Sequence, residues 1–318
     1  MKNYPKVTFG IVNCNRLFYL KSCFESLIEC TQDYPNKEII IVDNASVEKG
    51  TKEFLSSIKS DNVKIHIEKK RDPLNEYARG LNTIYELSRG DYIILTEEDV
   101  QFIVKGGWLK EYVDFFENNK ESTASMGLDA QRTVRLNREK YFFPKNQSKY
   151  KFIYNLARHP ISGAGDAVYS REILSKMYPW VTENLHYEGF GGHNDNFETK
   201  MLHKIHSILK EKKSPTYLAM PIFPVSSCIY TDPRGTNARI RGNKRYGEYW
   251  APKDSYKYYK IWDYKEALEL SNERDIPFGI EFAADPIGWK KPLDTQGNWL
   301  KNPIRPENCT EDDYKTID

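Results

Sequence analysis

Asp91-Tyr92-Ile93-Ile94-Leu95-Thr96-Glu97-Glu98-Asp99 sets the reading of the chain: an apolar run of strand length ends directly in three consecutive carboxylates. So short a run, apolar without alternation, suits a strand covered on both faces, as in a parallel sheet. The pattern recurs toward the N-terminus. Glu38-Ile39-Ile40-Ile41-Val42 ends in Asp43-Asn44-Ala45-Ser46, and a helical pattern carrying Phe54, Leu55 and Ile58 follows. Residues 6–12 and 63–67 read as two further strands. Leu20, Phe24, Leu27 and Ile28 stand at helical spacing after the first, and Ala78, Leu81, Ile84 and Tyr85 lie on one side of a helix over 74–87. Such strand–helix alternation predicts a doubly wound α/β sheet, in which ligands bind beyond the carboxyl ends of the strands. Asp43 and the Glu97 to Asp99 cluster both fall at such ends.

After about residue 130 the alternation fades into polar, aromatic, loop-rich text. A short strand over 166–169 follows Ser162-Gly163-Ala164-Gly165, and a helix starts at Arg171. A longer helix is expected after Asp195, with Phe197, Met201, Ile205 and Ile208 on its buried stripe, and another over 264–274. No repeat or flexible linker separates these parts. The expectation is one integrated domain in two halves, 1–130 and 131–250, with a helical and irregular extension over 251–318.

Composition narrows the partners. The chain has 318 residues and a formal charge of +2, which removes the global field of a dedicated nucleic-acid binder. No apolar run approaches the roughly 20 residues of a membrane helix, and no signal-peptide layout opens the chain. Five cysteines without a CxxC pair suggest reduced, structural thiols. A soluble, cytoplasmic protein is the expectation. Tyrosine is abundant, and 14 of the 22 lie between Tyr141 and Tyr264, either lining a wet cleft or forming a core built from rings.

Three adjoining acids after a buried strand are costly unless a positive group sits between them. Hard oxygen ligands suit Mg²⁺ or Mn²⁺. In an extended chain Glu97 and Asp99 share a side and Glu98 points away. A solvated acidic turn is the other reading of the same residues.

From Thr8 to Asp99 the chain resembles the nucleotide-binding half of a family 2, GT-A type glycosyltransferase. Residues Thr8 to Arg16 look like that family's opening strand and its asparagine–arginine turn, with Cys14 in place of a tyrosine. Ile40 to Ser46 is similar to its second strand and DxxS element. Gly80-Leu81-Asn82 falls where the family has alanine–arginine–asparagine, and Ile94 to Asp99 stands in the DxD position with Glu97 replacing the first aspartate. The resemblance implies a GT-A fold, Rossmann-like and doubly wound with a mixed sheet and an irregular, aromatic-rich acceptor half. It implies that residues 1–130 bind a nucleotide-sugar, with a UDP-sugar the expected donor, and that 131–250 bind the acceptor and carry catalysis. Thr8, Asn13, Arg16, Asp43, Asn82, Glu97 and Glu98 become candidate donor-binding residues, and Asp99 with Glu97 the candidate ligands of Mn²⁺ or Mg²⁺.

Sugar transfer also needs a base for the acceptor hydroxyl. The family opens a helix with an acidic pair where this chain reads His193-Asn194-Asp195-Asn196-Phe197-Glu198. Asn194 cannot act as a base, so Asp195 is the candidate, with Glu198 in reserve. Gly163, Tyr187, His193 and Trp250 are candidate acceptor-binding residues. Between Asp232 and Trp250 a glycine-containing loop carries Arg234, Arg239, Arg241, Lys244 and Arg245. Arg241 and Arg245 are expected on the donor diphosphate, although a polyanionic acceptor would use the same charges. The expected function is metal-assisted, inverting transfer of a sugar to a glycan or other hydroxyl acceptor. Two rivals stand beside it, a sugar nucleotidyltransferase and a catalytically inactive glycan- or nucleotide-binding module.

Overall fold

The computed structural model describes residues 4–72, 75–129, 141–156, 167–181, 217–228, 249–250, 260–275, 277 and 314–315. Along the chain these form β1 (Val7–Asn13), α1 (Leu17–Cys30), β2 (Lys37–Asp43), α2 (Thr51–Ser57), β3 (Val63–Ile67), α3 (Glu76–Leu87) and β4 (Tyr92–Glu97). Then come β5 (Val100–Phe102), β6 (Val104–Lys105), α4 (Trp108–Asn118), β7 (Thr123–Gly127), β8 (Tyr141–Phe142), β9 (Phe152–Leu156), β10 (Ala167–Ser170) and α5 (Arg171–Met177). The remaining elements are β11 (Tyr217–Pro221), β12 (Ser226–Cys228), β13 (Tyr249–Trp250), β14 (Trp262–Asp263), α6 (Tyr264–Glu273) and β15 (Tyr314–Lys315).

Nine strands make one sheet in the order β3-β2-β1-β4-β10-β7-β11-β9-β8. The first four are mutually parallel, and β10 runs antiparallel to both β4 and β7. The expected α/β class with a mixed sheet is what the chain adopts. Strands from both sequence halves share this sheet, and β14 pairs with β6.

The apolar strands are buried on both faces, as their lack of alternation predicts. Phe9, Ile11, Ile39, Ile41 and Ile94 pack with Leu20 and Leu27 of α1 and Trp108, Phe115 and Phe116 of α4. On the other face Val12, Ile40, Val42, Ile93 and Leu95 pack with Leu81 and Ile84 of α3 and Leu174 and Met177 of α5. Period-two side chains on a strand divide the sequence between the two layers. Close approach of α3 to β1 depends on Gly10, where an added Cβ would stand 2.3 Å from Ile84 Cγ2.

The tyrosine-rich stretch resolves in part as core. Tyr150 is fully buried with its hydroxyl donating to the Phe223 carbonyl at 2.9 Å, and Tyr154 stacks on Tyr217 with its hydroxyl 2.8 Å from that of Thr123. Each ring contributes apolar area while its tip is satisfied locally. Among the described residues no helix is long and apolar enough to cross a membrane.

Candidate active site

The register of the parallel strands assembles the site. Asn13 stands beside Asp43, Val12 beside Glu97, and Asp43 beside Ile67. Asn13, Asp43 and Glu97 therefore form a row along the carboxyl edge of three adjacent strands, where a doubly wound sheet presents ligands.

Asp43 is fully buried and held from two sides. Its Oδ1 accepts from Asn13 Nδ2 at 2.6 Å and from the Ser46 hydroxyl at 2.5 Å, while Oδ2 accepts from the Ser46 backbone N–H at 3.0 Å. The DxxS spacing thus closes an Asx-type turn on the carboxylate. A second loop interlocks with it. Asn15 donates its backbone N–H to Ser46 Oγ at 2.6 Å, and its Oδ1 accepts from the N–H groups of Val47 at 2.9 Å and Glu48 at 3.1 Å. Asn15, Arg16 and Ala45 all have positive φ, at 59°, 62° and 53°. Left-handed backbone at non-glycine residues is costly and needs support of this kind. Burial, with the Glu76 charge nearby, pushes the Cys14 thiol up to about 12.

That left-handed turn aims Arg16 at the acidic cluster. One terminal nitrogen donates to Glu98 Oε1 at 2.6 Å and the other to Asp99 Oδ2 at 2.9 Å, with the guanidinium 5.0 Å from the Tyr19 ring centroid. Here the structure corrects the extended reading of the cluster. Strand β4 ends at Glu97 and the next two residues turn, so Glu98 and Asp99 face the same guanidinium and Glu98 does not point away. The positive group that three adjoining acids require is supplied from within the chain. Burial raises the Glu98 carboxyl above its ordinary range, and the Arg16 charge only partly opposes this. For Arg16 burial disfavours the charge, but Glu98 and Asp99 outweigh it and hold the guanidinium ionised.

Several buried polar atoms around this edge have no partner among the described residues: Asn13 Oδ1, Asn44 Oδ1 and Arg16 Nε. Unsatisfied buried groups are rare, and at a strand edge they are hydrogen-bonding capacity held in reserve. The acids offer hard anionic oxygens of the kind a divalent cation takes, while among the described residues no group of three His, Cys, Asp or Glu side chains is gathered to hold one.

Two sequence candidates stand elsewhere. Thr8 is at the opposite end of β1 from Asn13, where its hydroxyl donates to Glu38 Oε1 at 2.8 Å and accepts from the Gly90 N–H at 2.9 Å. The fold does not bring it to the carboxyl edge. Asn82 uses its side-chain amide on the Trp180 backbone, donating to the carbonyl at 2.9 Å and accepting from the N–H at 2.8 Å. Trp250 lies in β13, paired with Tyr314. Gly163, Tyr187, His193, Asp195, Glu198, Arg241 and Arg245 lie outside the described residues. The supporting role of Glu48, whose Oε2 accepts from the Leu17 N–H at 2.5 Å, carries no local sequence signal.

Residues 8–178, more than half of the chain, match Glycosyl transferase family 2. A curated relative, the uncharacterized protein y4gI of Sinorhizobium fredii (strain NBRC 101917 / NGR234), is 32% identical over 113 residues, covering 36% of this chain and 12% of that protein. Among solved structures, S. aureus TarS aligns at 12% identity and TM-score 0.47 over 67% of this chain and 57% of that one. The mannosyltransferase PcManGT of Pyrobaculum calidifontis, solved with GDP-Man and Mn²⁺, aligns at 15% identity and TM-score 0.46 over 70% of this chain and 58% of that one. This chain thus spans well under two thirds of each of these relatives. With the match over residues 8–178 running from the second residue of β1 to just past α5, the chain belongs to glycosyl transferase family 2.

Proposed function

We propose that this protein transfers a sugar from a nucleoside-diphosphate sugar, a UDP-sugar in the first instance, to an acceptor hydroxyl with inversion. The observation that carries the reading is the row of Asn13, Asp43 and Glu97 on adjacent strand ends, with Glu98 and Asp99 one turn further on. Rigid acceptors and donors at a carboxyl edge suit the base and ribose of a nucleotide, and the reserve capacity of Asn13 and Asn44 lies beside them. When bound, Mn²⁺ or Mg²⁺ held by Asp99 and Glu97 would oppose the charge developing on the departing diphosphate.

In the proposed displacement, the acceptor oxygen forms its bond to the anomeric carbon as the bond to the diphosphate oxygen breaks, and that oxygen keeps the electron pair. The acceptor proton passes to Asp195, with Glu198 as the alternative base. Arg241 and Arg245 would fork onto the diphosphate, and Gly163, Tyr187, His193 and Trp250 would bind the acceptor, which is a glycan or, given the basic sequence over 232–250, a polyanion. We place the protein in the cytoplasm, a reading supported by the Cys14 thiol, which is in no disulfide.

The test is nucleoside diphosphate release from UDP-, GDP- and dTDP-sugars in the presence of Mn²⁺. At least one donor should be consumed, and Asp195→Asn should slow consumption by about 10²–10⁴-fold with donor affinity retained. Full activity in a folded Asp195→Asn variant would remove Asp195 from its role, and inertness toward every donor would remove the transferase reading.

A further inference from the structure

The acidic cluster that family membership reads as a cation site already holds a cation. Arg16 places one terminal nitrogen on Glu98 and the other on Asp99, at 2.6 and 2.9 Å. Both acids are nearly inaccessible, with side chains 9% and 6% exposed, whereas the Arg16 side chain keeps 27%. We propose that Arg16 is the resident counter-ion of this site and must leave Glu98 and Asp99 before a divalent cation can bind there. The inference rests on the reading of Asp99 as a cation ligand.

Three observations support it. At 2.9 Å the Arg16 N–H takes up acceptor capacity of Asp99 Oδ2 and sets a fixed positive charge against it, so the guanidinium competes with a metal ion for that oxygen. The partly buried guanidinium also repels an arriving dication, and the two nearly inaccessible acids leave little solvent to screen that repulsion. Finally, Arg16 is built to be the part that moves. Its Nε is buried with no partner among the described residues, so the side chain is held by its two terminal contacts and by the face of the Tyr19 ring, 5.0 Å from the guanidinium. Its backbone is fixed by the interlocked loops of Asn15 and Ser46, so the Cα holds its place while the side chain changes rotamer. An arginine released from two carboxylates seeks another bidentate anion, and a diphosphate arriving with the metal presents one. Cation and donor are then coupled: each favours the state in which Arg16 has let go, and each raises the affinity for the other.

The experiment titrates the full chain with MnCl₂ alone, followed by Mn²⁺ electron paramagnetic resonance, in the wild type, Arg16→Gln and Arg16→Lys. Arg16→Gln should bind Mn²⁺ at least about tenfold more tightly than the wild type, because the competing charge is gone. Arg16→Lys, which keeps a charge but loses the fork, should fall between the two. Without metal, Arg16→Gln should melt below the wild type, and saturating Mn²⁺ should raise its Tm more than that of the wild type. If Arg16→Gln does not fold, the gain in Arg16→Lys over the wild type decides the matter. Equal or weaker Mn²⁺ binding in the variants, or no Mn²⁺ binding by any form, would overturn the inference. Since no sugar donor is present, these outcomes are independent of the donor-consumption assay that tests the transferase reading.

Discussion

At the scale of single residues, the chain spends buried polar groups on fixing two ends of the same strands. At the carboxyl end, Asp43 collects hydrogen bonds from Asn13 and twice from Ser46. Asp43→Asn turns one acceptor oxygen into a donor facing other donors, and should cost about 1–3 kcal/mol in urea denaturation as well as the donor affinity. At the amino end, Glu38 is the counterpart. Burial pushes its carboxyl up, but the Arg89 N–H, the Thr8 hydroxyl and the Lys6 and Lys64 ammonium groups together pull it below its ordinary range. A carboxylate depressed by folding stabilises above its unfolded pKa, and that stability is lost as pH falls through the lower folded value. Glu38→Gln should therefore destabilise at pH 7 by about 1–3 kcal/mol, and its stability curve should begin to approach that of the wild type as pH falls past the unfolded glutamate value of about 4.3 and meet it only below the lower folded value. Cys14 gives an opposite case. With its thiol raised to about 12, almost none is thiolate at pH 8, and iodoacetamide should label it far more slowly than a free thiol peptide. Fast labelling would show that the Cys14 turn is open in solution. The identities of Asp43, Ser46, Asn15 and Arg16 were readable as motif positions. That Arg16 faces Glu98 and Asp99 was not, because it depends on a positive-φ turn meeting a turn more than eighty residues away.

At the scale of elements, β1 to β4 and α1 to α3 are legible in the sequence because each burial surface has a period: continuous apolar runs for strands covered on both faces, and helical spacing between them. The second half is less legible for an equally physical reason. Strands β9 and β11, and β7 at the end of the first half, are short, and they carry Thr123, Ser125 and Tyr154 at buried positions and Tyr217 at a partly buried one, which do not form an apolar run. Rings with satisfied hydroxyls there take the place of aliphatic chains. Contact between elements yields two expectations. Gly10→Ala forces Ile84 away from β1 and should cost about 1–3 kcal/mol, seen as faster hydrogen exchange in α3. Asn82→Ala removes both hydrogen bonds to the Trp180 backbone, and its loss should appear in thermal stability and in exchange at Trp180. A variant as stable as the wild type would mean that α3 does not depend on that strap.

At the scale of the whole molecule, a near-neutral chain with one nine-stranded mixed sheet sets its acidic cluster and the unpartnered Asn13 Oδ1 and Asn44 Oδ1 along the carboxyl edge of its parallel strands. That placement, together with membership of glycosyl transferase family 2, is the basis for proposing a nucleotide-sugar donor. A ligand that binds only the native state raises stability with the logarithm of its concentration relative to Kd, by about 2.7 kcal/mol at a hundred times Kd. The most direct measurement is thus a thermal-shift screen of UDP-, GDP- and dTDP-sugars, with and without Mn²⁺, on the wild type and Asp43→Ala. At least one donor should raise the wild-type Tm by several degrees when Mn²⁺ is present, and the rise should disappear in Asp43→Ala. Unchanged melting with every donor, with and without the metal, would contradict a nucleotide-sugar donor.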